Sequence, residues 1–436
     1  MSRELPEAAL RAAVLNPGVS RREVWAWAMY DFANSGYTTV ILTTVFSTYF
    51  VAVVGQRADW ATLAWTAALS LSYLAIMLTM PTLGARADAR AGKRRLLYTS
   101  TAGCVLATLL LARAGPGDVW LALAAVAVSN YCYCIGESVV AAFLPELAQP
   151  QALGRVSGWG WSFGYCGGML TLGLCLAVVS WGEARGLAAE QYVPWVILVT
   201  CAVFALAALP SFFLLRERAQ PKAVPVRAAD MLRRLAFAWR DTGEHFPEFR
   251  GLLLCGASYQ AGIAVVITLA AIYAEQAMGF TMPQVMLLVF TVNIAAAAGA
   301  FAFGYLQDRI GHKRALGMTL VGWIIMVVVA YAATTAAVFW VAALLAGLCM
   351  GTSQSAGRAM TGALAPPGRL AEFFALWTFA VQLAAVVGPL TYGLVTWLTA
   401  GNHRLAILVT GIFFLVGLLL LQRVDLARGI ARRQAL

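Results

Sequence analysis

The chain has 436 residues, 61% of them hydrophobic and only 12% charged, with a formal net charge of +11. Soluble domains carry roughly 25% charged residues, so a water-exposed globule of this length could not cover its surface; a chain solvated by lipid need not. The basic excess lies in short clusters between apolar runs, the pattern of topology signals and not of a basic face that tracks nucleic acid.

Metal and cofactor chemistry finds little to work with. Of eight cysteines, nearly all sit inside apolar runs and read as small buried hydrophobes. Cys132 and Cys134 form a C-x-C that no other Cys or His cluster accompanies. His245, His312 and His403 are scattered along the chain, which argues against a zinc site or a His-based triad. No nucleotide-binding motif is present. The sequence therefore implies no metal, no cofactor, no nucleic-acid partner and no enzyme.

Residues 1–24 are mixed in charge, with no apolar core or small-residue cleavage site, so they are expected to form a cytoplasmic segment. The first long apolar helix then serves as an uncleaved insertion signal. A membrane crossing takes roughly 20 apolar residues. Twelve such segments follow, at roughly 29–54, 62–83, 96–113, 118–143, 154–181, 192–215, 250–275, 283–306, 314–334, 336–362, 371–399 and 404–422. The expected fold is an all-α membrane protein of twelve spans in two six-helix halves, residues 25–215 and 250–422. The polar stretch 216–249 between them carries Arg216, Arg218, Lys222, Arg227, Arg233, Arg234 and Arg240. It reads as a central cytoplasmic loop with an amphipathic helix over 228–240, and 423–436 as a cytoplasmic tail. With both termini in the cytoplasm, only Arg57, Arg113, Arg185 and Arg404 of the 31 Lys and Arg fall outside, as the positive-inside rule requires. The expected partners are the bilayer of an inner (plasma) membrane, a small-molecule solute, and protons as a candidate coupling ion; a monomer is expected. Trp25, Trp27, Trp60, Trp181 and Trp195 fall at predicted membrane edges and read as belt residues.

The loop after the second segment reads Gly84-Ala-Arg-Ala-Asp88-Ala-Arg90-Ala-Gly92-Lys93-Arg94-Arg95, and the loop after the eighth reads Gly304-Tyr-Leu-Gln-Asp308-Arg309-Ile-Gly311-His-Lys313-Arg314. Asp88 and Asp308 stand 220 positions apart, close to half the chain, the mark of a duplicated transporter. Pro145 and Pro366 share that spacing to within one residue, as do Glu137 and Arg358. Both loops resemble the G-x-x-x-D-R-x-G-R-R signature of the major facilitator superfamily. In that family the Asp lies at the positive start of a helix in the opposite half. The resemblance implies that Asp88 meets the eleventh span near Arg369 and Asp308 the fifth near Arg155. Gly84, Asp88, Arg155, Asp308, Arg309 and Arg369 are thus candidate elements of a conformational gate, with pure topology charge as the alternative.

The opening Tyr30-Asp31-Phe32-Ala33-Asn34-Ser35-Gly36-Tyr37 is similar to that of the vacuole-effluxer-like branch of the superfamily, also called the unknown major facilitator family. Leu144-Pro145-Glu146, Gly154-Arg155-Val156-Ser157-Gly158-x-Gly160, Gly164-Tyr165-x-Gly167-Gly168, Gly351-x-x-Gln354-Ser355-x-x-Arg358, Phe373-Phe374 and Gly388-Pro389 extend the likeness into both halves. Fungal members are associated with amino-acid export from the vacuole, so the resemblance implies transport, with amino acids as the lead solute. Sugars, drugs and lipid-like molecules are the rival cargoes, and a non-transporting scaffold is the rival role.

Glu137 lies inside the fourth span, eight residues before Pro145, which is expected to end that helix, and so about 12 Å from its cytoplasmic end at 1.5 Å per residue, where an acid is costly unless paired or hydrated. It reads as a coupling or substrate carboxylate, or as half of a structural ion pair. Arg358 is its expected partner across the cavity; the alternative is an arginine snorkelling to the interface. Asp31 and Asn34 are placed at the start of the first span, Asp31 as a helix cap or as a participant in the cycle. Asn130, Tyr131, Asn293, Gln354 and Gln382 are polar groups inside spans, suited to solute binding or to interhelical hydrogen bonds. Trp159, Trp161 and Trp377 lie deeper, as cavity lining or as packing.

Overall fold

The computed structural model of the protein describes residues 14–56, 58, 60–218, 231–276, 278–280, 282–399 and 402–435. Segment 1–13, Arg57 and residues 219–230 of the central loop, with Lys222 and Arg227, lie outside the described residues. Among the described residues twelve long helices follow in order: α1 Arg21–Val54, α2 Ala61–Arg90, α3 Lys93–Leu111, α4 Val119–Ala141, α5 Leu153–Ala184, α6 Ala189–Leu214, α7 Pro247–Gln276, α8 Met282–Ile310, α9 His312–Ala332, α10 Ala336–Leu364, α11 Leu370–Leu398 and α12 His403–Arg423. Eleven are long and apolar enough to cross a membrane. The exception, α3, opens with Lys93-Arg94-Arg95, which dilutes its 19 residues. Large apolar side chains such as Leu206, Phe213 and Leu390 point outward, as expected where lipid is the solvent. The chain is a multi-pass membrane protein.

The first helix begins eight residues before the predicted edge. Ser20 caps it, its hydroxyl accepting from the Glu23 N–H at 3.2 Å. Asp31 therefore sits mid-helix, about 15 Å beyond Arg21 at 1.5 Å per residue, and is no cap. Trp27, expected at the interface, is fully buried and donates Nε1–H to Val140 O at 2.8 Å; the earlier start moves it one turn before Asp31 and into the bundle. Trp25, Trp60, Trp181 and Trp195 are exposed. Beyond Tyr37 the helix widens to π-type turns over Thr38–Thr44 and Phe50–Val54, where Thr43 and Thr44 hydroxyls bond back to the Thr39 carbonyl at 2.8 and 2.5 Å.

The buried apolar side chains divide into separate clusters. One is drawn almost wholly from residues 24–215, the other two almost wholly from 246–424. The two groups of helices meet along α2 against α11 and α5 against α8. Small residues permit that approach: a Cβ on Gly84 would lie 2.5 Å from Ala371 O, and one on Gly158 2.4 Å from Ala300 O.

The fourth helix stops at Ala141 and resumes as a turn over Leu144–Leu147, so Pro145 opens that turn; it does not end α4. The amphipathic helix of the central loop spans Met231–Glu244, shifted from the expected 228–240. The tail forms a further helix, Leu426–Ala435, held by Glu248, which accepts from Asp425 N at 2.6 Å and from Arg428 Nε at 2.8 Å.

Candidate functional site

Deep in the bundle, Arg358 of α10 and Asp31 of α1 form a bidentate pair across the two helix groups. Nη1 donates to Oδ2 at 2.5 Å and Nη2 to Oδ1 at 3.2 Å. Both side chains are about 95% buried, where an unpaired charge would cost several kcal/mol. Trp27 and Trp161 place their rings 5.5 and 4.8 Å from the guanidinium, a geometry of cation–π attraction. The glycines of α5 make room for the pair. A Cβ on Gly160 would lie 2.5 Å from Asp31 Oδ2, one on Gly164 2.9 Å from Ser35 Oγ, and one on Gly167 2.1 Å from Phe32 O.

Glu137 is not the partner of Arg358 in this structure. Its carboxylate accepts from the Tyr133 hydroxyl one turn earlier on α4, and it makes no ion pair among the described residues. The expected Glu137–Arg358 bridge is replaced because Asp31, three turns into its helix, occupies both arms of the guanidinium. Glu137 is half-buried while Arg358 is closed off. Asn130, Tyr133, Cys134 and Glu137 recur at helical spacing on one face of α4. Asn130 donates to Ser72 Oγ at 2.6 Å. Gln382 Nε2 reaches Cys134 Sγ at 3.4 Å from α11, and Gln354 Oε1 accepts from Gln260 Nε2 at 2.8 Å. Among the described residues Asn293 bonds within its own helix, to Val289 O at 2.9 Å. Asn34 is buried with its Oδ1 unpartnered, as is the Trp161 Nε1. The Tyr131 hydroxyl is 2.9 Å from that of Thr79. Trp159 donates to the Tyr305 hydroxyl at 3.2 Å, and Trp377 packs against Tyr259.

The repeated loops dock at the same end of the bundle. Asp308 accepts the backbone N–H groups of Gly154 and Arg155, both at 3.0 Å, and lies 3.5 Å from Arg155 Nε. Asp88 accepts the N–H of Glu372 at 3.0 Å. Each carboxylate thus satisfies amides at the start of a helix in the other group, where the dipole favours an anion. Arg369 pairs with Glu372 and with Asp241 of the loop helix, both at 2.8 Å. Arg309 is exposed. Ser157 donates to Ser355 O at 2.9 Å and Ser162 to Ala297 O at 3.0 Å. These crossings cluster from the basic loops up to the Asp31–Arg358 level, so that end is sealed.

Sequence reasoning missed the Asp31–Arg358 pairing and a buried brace beneath it. Lys93, fully buried, donates to Glu146. Glu146 also accepts Arg218 N at 3.0 Å, while Glu23 holds the Arg218 fork at 2.8 and 2.9 Å. A signal for the first existed: Ser20-Arg-Arg-Glu23 has the spacing of a helix start, which places Asp31 at membrane depth.

A family model described as vacuole effluxer Atg22 like matches residues 50–434. The chain belongs to the vacuole effluxer Atg22-like family. It is 26% identical over 410 residues to the uncharacterized MFS-type transporter YxiO of Bacillus subtilis, covering 91% of this chain and 93% of that one. Autophagy-related protein 22 of Cryptococcus neoformans is 29% identical over 182 residues, 38% of this chain and 33% of its own. The human organic anion transporter MFSD10 superposes with a TM-score of 0.73 at 18% identity, over 92% of this chain and 99% of that one. The proton:xylose symporter XylE gives 0.72 at 16%, over 92% and 95%. The fold of this family member is therefore that of the major facilitator superfamily, a superfamily of transporters of small solutes.

Proposed function

We propose that the protein is a secondary transporter of twelve spans in two six-helix halves, working by alternating access with both termini in the cytoplasm of a bacterial-type plasma membrane. Export of an amino acid or related polar metabolite, coupled to protons, is the reading the geometry supports best. The observation that carries it is the buried Asp31–Arg358 pair, one member from each helix group, beneath a half-buried Glu137 that has no cationic partner among the described residues.

A ligand or proton moves a two-state equilibrium only through differential affinity for the states. A proton on Asp31 removes the charge that locks Arg358. A solute carboxylate competing for the same guanidinium does likewise. Either event loosens the sealed end, and Asp88 and Asp308 then release the helix starts they hold. Glu137, bonded to the Tyr133 hydroxyl and without a cationic partner among the described residues, is the second group able to take up a proton. In this reading Asn34, Asn130, Gln354 and Gln382 supply polar contacts to the solute, whereas Asn293 serves its own helix. The names of relatives and structural neighbours support this reading: an effluxer, a proton symporter, an organic anion transporter.

Solute flux into proteoliposomes tests the proposal. With an amino-acid panel, the wild type is expected to respond to an imposed pH gradient and Glu137→Gln to lose that response. Flux that ignores the gradient in the wild type removes proton coupling; absence of flux across a broad metabolite panel favours a scaffold role.

A further inference from the structure

The basic-loop end of the bundle is sealed, and Glu137 is a half-buried charge without a cationic partner among the described residues, while Arg358 is closed off beneath Asp31 and two tryptophans. The two charges are therefore not offered to a solute together. A carboxylate at membrane depth that is hydrogen-bonded to a tyrosine hydroxyl gains most from a cation. The Tyr133 ring is one of several aromatic rings on α1, α4 and α5. Tyr133 lies 5.3 Å from Tyr37, and Trp161 lies 5.9 Å from Tyr165, ring to ring. On the α4 face, the Gln382 amide is uncharged and engaged with the neutral Cys134 thiol.

We infer that in this state the chamber selects its solute by a protonated amine: Glu137 takes the ammonium beside the ring of Tyr133, and a solute carboxylate goes unread. Anion recognition at Arg358 follows only once Asp31 has let go. An ammonium beside a carboxylate and aromatic faces is favoured by both ion pairing and cation–π attraction. The inference rests on the transporter reading above and adds the order in which the two ends of a zwitterion are read.

The experiment is ligand-induced thermal stabilisation of the purified full-length protein. The probes are four matched compounds: phenylalanine, its methyl ester, phenethylamine and N-acetylphenylalanine, with the leucine series run in parallel. The amine-bearing members of a series, with or without the carboxylate, are expected to stabilise the wild type at similar concentrations. The N-acetyl acid is expected to need at least ten-fold more. Glu137→Gln should weaken the amines at least ten-fold, and Glu137→Asp should recover part of that loss. An N-acetyl acid that binds as well as the amine overturns the inference, and so does a panel in which no amine binds. Amine binding that persists while proteoliposome flux ignores the pH gradient sinks proton coupling and leaves amine selection standing, so the two failures are distinguishable.

Discussion

Asp31→Asn leaves the Arg358 guanidinium about 95% buried without its ion-pair partner. Removing one partner of such a pair costs about 3–5 kcal/mol. The pair joins the two helix groups, so the cost falls on the sealed arrangement and not on the parted one. At about 3 kcal/mol the ratio of sealed to parted molecules drops roughly 150-fold, since each 1.4 kcal/mol is tenfold. Spin labels at the exposed positions Arg90 and Arg432, in a cysteine-free background, report the distance across the sealed end by double electron–electron resonance. The wild type is expected to show one short distance and Asp31→Asn a dominant long one. Arg358→Gln should act similarly, and the double variant should recover much of the short population, giving a coupling of about 2 kcal/mol or more. Additivity within about 0.5 kcal/mol would refute the reasoning.

Gly84→Val puts side-chain atoms where Ala371 O now stands 2.5 Å from a notional Cβ; it should hold the basic-loop end apart, read as the same long distance. Gly167→Ala meets Phe32 O at 2.1 Å and should lower the melting temperature through overpacking worth about 1–3 kcal/mol. Gly173→Ala in the same helix meets nothing within 4 Å and should leave that temperature unchanged or raised. Lys93→Met strands the buried Glu146 and is expected to destabilise by about 3–5 kcal/mol, with much of the loss recovered in Lys93→Met/Glu146→Gln; equal melting temperatures for the single and double variants would contradict this.

The general architecture could be read from residues because lipid imposes strict demands: backbone groups are satisfied within helices, and most charge falls in loops. The duplicated loops announced themselves by spacing, and their Asp residues do reach helix starts in the other group. The partner of Arg358 was less legible. Repeat symmetry pairs position 137 with 358, yet symmetry relates equivalent sites and does not choose which acid fills a guanidinium fork. That choice depends on how far α1 extends before Asp31, and hydropathy alone starts the helix too late because Arg21, Arg22 and Glu23 mask its first turn. The glycines of α5 were visible as a pattern, but their reason, the close passage of Asp31, Ser35 and Phe32, exists only in three dimensions. The Lys93–Glu146 brace was hidden because Lys93 looks like any basic loop residue.

The most direct test uses two single-cysteine variants in a cysteine-free background. Gln382→Cys places a thiol beside the α4 face of the chamber, and Ser157→Cys places one in the fully buried seam. Each is exposed to a membrane-impermeant maleimide from either side of sealed vesicles. A shut end maintained by the Asp31–Arg358 couple predicts that the Gln382→Cys thiol reacts only from the side opposite the basic loops, and that the Ser157→Cys thiol reacts from neither side until Asp31→Asn is added. Ready labelling of the Ser157→Cys variant without that second change, or labelling of the Gln382→Cys variant from the basic-loop side, would contradict it.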